Sequence, residues 1–64
     1  MKYPEIEVQL TGRDGNAFAV MGAVIDGLRQ GGVSKEEIDA YREDSMSGDY
    51  SHLLNVAMDW VNVQ

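Results

Sequence analysis

An α+β fold, with one strand at each end of the chain and three helices between them, follows from three patterns in the sequence. Apolar residues alternate near the amino terminus, they switch to helical spacing through the middle, and they return to alternation at the carboxyl end. With 64 residues there is room for one domain, and a chain of this size buries only about 60% of its unfolded surface. There is no cysteine, so packing alone has to hold the core, and a reducing, cytoplasmic setting is expected.

Ile6, Val8 and Leu10 alternate with Glu5, Glu7 and Gln9, which predicts a half-buried first strand over residues 5–10. The run Thr11-Gly12-Arg13-Asp14-Gly15-Asn16 is dense in turn formers, and Asn16 can cap the helix that follows. That first helix starts at Ala17 and stops at Gly31-Gly32. Ala17, Met21, Val24 and Leu28 share a face, with Phe18 and Ile25 beside them, so it is expected to be the central core element in contact with both strands. Gly22 and Gly27 each cost up to about 1 kcal/mol inside a helix. Close approach of another backbone would be the return.

Ser34 and Glu37 have capping-box spacing, in which the hydroxyl accepts the Glu37 amide and the carboxylate reaches back to the cap. The second helix then carries a narrow apolar stripe of Ile38 and Tyr41, with Ser45 next on it, and most of it faces water. Asp49 or Ser51 caps a third helix built on Leu53, Leu54, Ala57 and Met58. Trp60-Val61-Asn62-Val63 reads as a closing strand, although Trp60 could equally end the helix. The economical arrangement pairs the two terminal strands and covers them with helices.

Eleven acidic against five basic residues give a formal charge of −6. That sign disfavours direct binding to nucleic acid or an anionic membrane and favours a basic protein surface. No apolar run follows Lys2, and the longest apolar stretch, residues 17–25, contains Gly22, so neither a signal peptide nor a membrane span is expected. A monomer is expected.

No complete catalytic set is legible. His52 is the sole histidine and has no cysteine to pair with, and the serines fall in caps and turns, so a Ser-His-Asp triad is not indicated. Asp14, Asp26 or Asp49 with His52 offers carboxylates for a cation, but the spacing matches neither a calcium loop nor a zinc helix, and no metal or other cofactor is expected. Gly12-Arg13-Asp14-Gly15 lies between a strand and a helix amino terminus, where an anion is favoured, yet Asp14 opposes one there.

The densest charge lies in residues 36–49, where Glu36, Glu37, Asp39, Glu43, Asp44 and Asp49 supply six of the eleven carboxylates. On a helix, Glu36, Asp39 and Glu43 fall on one face about 5 to 6 Å apart, a row able to imitate a phosphate track. Glu36, Asp39, Glu43, Asp44 and Asp49 are therefore the candidate partner-binding residues, and a solvated outer face is the alternative reading. The Arg13-Asp14-Gly15-Asn16 loop with Tyr50 and His52 is the next surface to consider.

Two blocks, Thr11-Gly12-Arg13-Asp14-Gly15-Asn16-Ala17-Phe18-Ala19 and Ser47-Gly48-Asp49-Tyr50-Ser51-His52-Leu53-Leu54, resemble those of a family of very short bacterial, phage and plasmid proteins without an assigned activity. The resemblance implies a mobile-element setting in a bacterial cytoplasm. In profile the chain is also similar to anti-CRISPR proteins, which implies a non-enzymatic inhibitor of a host interference complex, such as a type I cascade, acting at its nucleic-acid-binding surface. An accessory or regulatory module that binds its partner through an apolar patch is the alternative.

Overall fold

A computed structural model describes residues 1–10 and 15–64. The elements are β1 (Tyr3–Val8), α1 (Ala17–Gln30), α2 (Lys35–Ser45), α3 (Tyr50–Trp60) and β2 (Val61–Val63). The predicted order and the pairing of the terminal strands are both observed. Thr11, Gly12, Arg13 and Asp14, and with them most of the expected turn and the anion loop, lie outside the described residues.

The strands run parallel, a direction left open by the sequence pattern. Parallel neighbours need a crossover of a dozen residues or more, and here the three helices form it. Tyr3 is opposite Val61, while Glu7 and Val8 are opposite Asn62 and Val63, with an irregularity between the two patches. The ends are clamped by Lys2 N–H donating to the Asp59 carbonyl at 2.8 Å and by Gln64 N–H donating to that of Val8 at 2.8 Å. β1 begins and ends two residues before the expected span: Pro4 falls within the irregular stretch, where a missing N–H is tolerated, and Leu10 lies beyond the strand although its N–H donates to the Gln64 carbonyl at 3.1 Å.

Each helix is capped at its amino end as the side chains predict. Asn16 Oδ1 accepts from Ala19 N–H at 2.8 Å, Ser34 Oγ from Glu37 N–H at 3.3 Å and Asp49 Oδ1 from His52 N–H at 2.9 Å. Gly32, at φ +81°, takes the left-handed conformation that turns the chain from α1 to α2.

α1 packs on β1, α2 and α3, whereas β2 rests on β1 and α3. Val61 of β2 nonetheless joins the buried cluster that contains Val24 and Leu28 of α1, Ile38 and Tyr41 of α2, and Val56, Ala57 and Trp60 of α3. Two expected core assignments are corrected. Phe18 is 77% exposed and Val20 is buried in its stead, because Phe18, Gly22 and Arg29 lie on the exposed side of α1. On α3 the buried set is Leu53, Val56, Ala57 and Trp60, with Met58 exposed and Leu54 half-buried. Trp60 closes the helix, and its bulk sets the face that turns inward.

The two helical glycines differ. A Cβ on Gly27 would lie 2.7 Å from Val8 Cγ2, so α1 and β1 approach closely there, whereas one on Gly22 would meet nothing within 4 Å. Gly22→Ala should therefore raise stability by about 0.5 to 1 kcal/mol through helix propensity, and Gly27→Ala should lower it, as read by urea unfolding. Leu28→Ala should cost about 2 to 5 kcal/mol by opening a cavity. Phe18→Ala should stay within about 0.5 kcal/mol of the parent, and the reverse ranking in thermal melts would mean that the core is misassigned.

Candidate functional site

The candidate residues of the acidic segment all remain on the surface: Glu36, Asp39, Glu43, Asp44 and Asp49 are exposed. The tertiary structure gives them different surroundings. Asp49 caps α3. Asp44 Oδ1 lies 3.5 Å from His52 Nε2, across the α2–α3 turn. Asp39 is 3.4 Å from Arg42, and both border a groove of about 340 Å³ with Arg29, Lys35, Val33 and Ile38. Three of the five basic side chains thus gather beside the middle of the expected acidic row. Glu36 and Glu43 make no ion pair among the described residues.

Glu37 departs from the expected capping box. The Ser34 half forms, but the Glu37 carboxylate turns to the chain's amino end, where its Oε1 accepts from Tyr3 Oη at 2.9 Å and lies 3.0 Å from Lys2 Nζ. The Lys2 ammonium first, and the Tyr3 hydroxyl second, hold the Glu37 carboxyl below its ordinary value. The hydrogen bond to Glu37 and then burial push the Tyr3 phenol up. Lys2 also sits over the Trp60 ring, 4.3 Å from its centroid. Sequence spacing could not reveal this contact, because it joins residues 34 apart.

Ser47, His52 and Asp44 come together, but not as a nucleophilic triad. His52 uses the same nitrogen, Nε2, towards Ser47 Oγ at 3.1 Å, the Asp44 carbonyl at 2.9 Å and the Asp44 carboxylate. A proton on Nε2, donated to the carbonyl, leaves that nitrogen no lone pair with which to take the serine proton. Ser47 Oγ itself donates to the Asp44 carbonyl at 2.7 Å. The group therefore gathers on the Asp44 carbonyl at the end of α2, which also accepts Ser47 N–H at 3.2 Å. Among the described residues no set of three His, Asp or Glu side chains converges to hold a metal ion.

At the opposite end of α2 from Ser34, the two sequence blocks meet. Tyr50 Oη donates to the Gly15 carbonyl, joining the start of α3 to the start of α1. Between them lies a notch of about 260 Å³ whose lining includes Phe18, Met21, Met46, Asp49, Tyr50 and Leu53. Ser45 also lines it, fully buried. Among the described residues, neither its hydroxyl nor that of Tyr41, one turn earlier, makes a hydrogen bond of standard geometry. Burial pushes the Tyr41 phenol up, and the nearby Ser45 hydroxyl offsets part of that. Of the acidic candidates only Asp49 lines this notch, and of the second surface named from the sequence only Tyr50 does among the described residues; Phe18, expected in the core, and Met46 complete its apolar rim.

No protein-family model, curated protein or solved structure matches the chain.

The Glu37 contact makes stability depend on pH with a defined sign. A carboxyl depressed in the folded state contributes above its ordinary value of 4.5, and loses that contribution as pH falls through the lower folded value. The raised Tyr3 phenol contributes below its ordinary 10.0 and loses it as pH rises through the higher folded value. Urea unfolding of the parent and Glu37→Gln should show a gap that narrows on acidification below about pH 4. A gap unchanged down to about pH 2.5 would dissociate Glu37 from this linkage.

Proposed function

We propose that the chain is a small non-enzymatic inhibitor that binds a basic, nucleic-acid-binding surface of a host protein complex and blocks it. An interference complex of the type I cascade kind, as anti-CRISPR proteins target, is the finer form of this reading. The observation that supports it is the exposure of Glu36, Asp39, Glu43, Asp44 and Asp49 along α2 and the turn that follows, on a chain of charge −6. The Asp39–Arg42 pair does little to remove Asp39 from this surface, because exposed ion pairs hold one another only weakly. Concentrated negative charge speeds encounter with a basic groove and repels nucleic acid from it.

The test is competition with target DNA for a purified type I interference complex of the bacterial host. The parent should displace DNA, and the triple variant Glu36→Lys, Asp39→Lys, Glu43→Lys should not, while its melting temperature stays close to the parent's because none of the three is buried. Binding should also weaken steeply above about 0.15 M salt. Failure of the parent to compete at saturation would end the interference-complex form. Full competition by the triple variant would end the acidic-row mechanism.

A further inference from the structure

We propose that the notch between the first turns of α1 and α3 is the anchoring site for a short segment of a protein partner carrying one large apolar side chain flanked by lysine or arginine. The charge of that occupant rests on the reading above, while its apolar character rests on the notch alone.

Five large hydrophobic side chains are exposed among the described residues, and three of them line this one notch: Phe18 at 77%, Met46 at 62% and Tyr50 at 44%. Their exposed surface adds nothing to the core. The same atoms gathered around a concavity match the centre of a protein contact, where a few aromatic and methionine side chains dominate. About 260 Å³ lies below the range of roughly 300 to 1,000 Å³ for small-molecule pockets, and a cavity of about 150 Å³ already admits a benzene ring. The notch therefore suits one side chain rather than a whole ligand molecule.

Its walls are held in advance. Tyr50 is tied to the Gly15 carbonyl, Asn16 and Asp49 cap the two helices, and Leu53 and Met21 form part of a small buried cluster behind it. Met46 supplies the adaptable wall.

The electrostatics select the flanks. Asp49 is the acidic side chain among the described lining residues, and Asp44 stands exposed at the other end of the same turn. A second copy of the chain, itself at −6, is disfavoured by like charge. A basic segment is favoured, and the turn from Asp44 to Asp49 connects the notch to the acidic end of α2. Charge would bring the partner in, and the notch would hold it.

The test is a titration of the isotopically labelled full chain, followed by backbone amide NMR, with three capped hexapeptides. The first has the order Lys-Arg-Gly-Phe-Arg-Lys, the second replaces its Phe with Ser, and the third replaces every basic residue with Glu. Saturable shifts at Phe18, Met46, Gly48 and Leu53 are expected with the first alone. Phe18→Ser should weaken them about tenfold or more and Phe18→Leu should restore them, with both variants keeping the parent's melt.

No saturable shift with the first peptide, or equal shifts with the second or third, overturns the proposal. So does self-association through the notch in sedimentation runs without peptide. The two readings fail separately. Peptide binding at the notch that survives the α2 triple variant, with no competition for DNA, removes only the inhibitor reading; competition for DNA by Phe18→Ser equal to the parent's, with no peptide binding, removes only the notch.

Discussion

The structure depends on Trp60, the last residue of α3, from which the chain passes directly into β2. Its ring lies 6.0 Å from that of Tyr3 and 5.6 Å, edge-on, from that of Tyr41, with Lys2 above it. One side chain thereby joins the beginning of the chain, the second helix and the end. A two-stranded sheet is marginal in water, and a three-residue β2 has few bonds of its own. Burial of Trp60 fixes where β2 starts, hence the register with β1, hence the parallel crossover that α1, α2 and α3 have to complete.

That closure also divides the acidic residues into two kinds. Glu37 is drawn into it through Lys2 and Tyr3, and Asp49 is committed to the first turn of α3. Asp44 faces His52 over a turn whose remaining hydrogen bonds meet at its own carbonyl. Glu36 and Glu43 carry no such duty among the described residues. Carboxylates adjacent in sequence therefore differ in what their removal would report: folding for some and, on the proposed reading, recognition for others. Asp39 stands between, because the groove with Arg29, Lys35 and Arg42 gives it positive surroundings.

The proposed function and the proposed docking site both rest on surface features of this small domain. Two parts of that surface are complementary in physical character. On the proposed reading, the acidic side of α2 would act at a distance and be weakened by salt, and the notch would act only on contact and depend on shape. Their meeting at the α2–α3 turn would let one partner use both, charge governing the rate of arrival and apolar burial the rate of departure.

Local physics settled much of this protein in the sequence. Asn16, Ser34 and Asp49 announce their caps because capping is decided within three residues, and the strand-helix-helix-helix-strand order is written in changes of hydrophobic period. The negative charge of α2 is equally plain. What lay beyond reach depended on contacts between distant residues. Phe18 looks like core by spacing, yet it stands exposed at the rim of the notch, whereas Val20 packs with Met21 and Leu53. Val56 and Trp60 displace Met58 from the inner face of α3 because the helix runs to Trp60, whose packing partners Tyr3 and Tyr41 lie 57 and 19 residues earlier. Glu37 matches a capping box, but Lys2 and Tyr3 offer its carboxylate a charged partner and a hydroxyl together, which outweigh the return bond to its own cap. The notch exists only because two turns far apart in the chain are brought to the same end of the molecule, and no periodicity within either turn encodes that meeting.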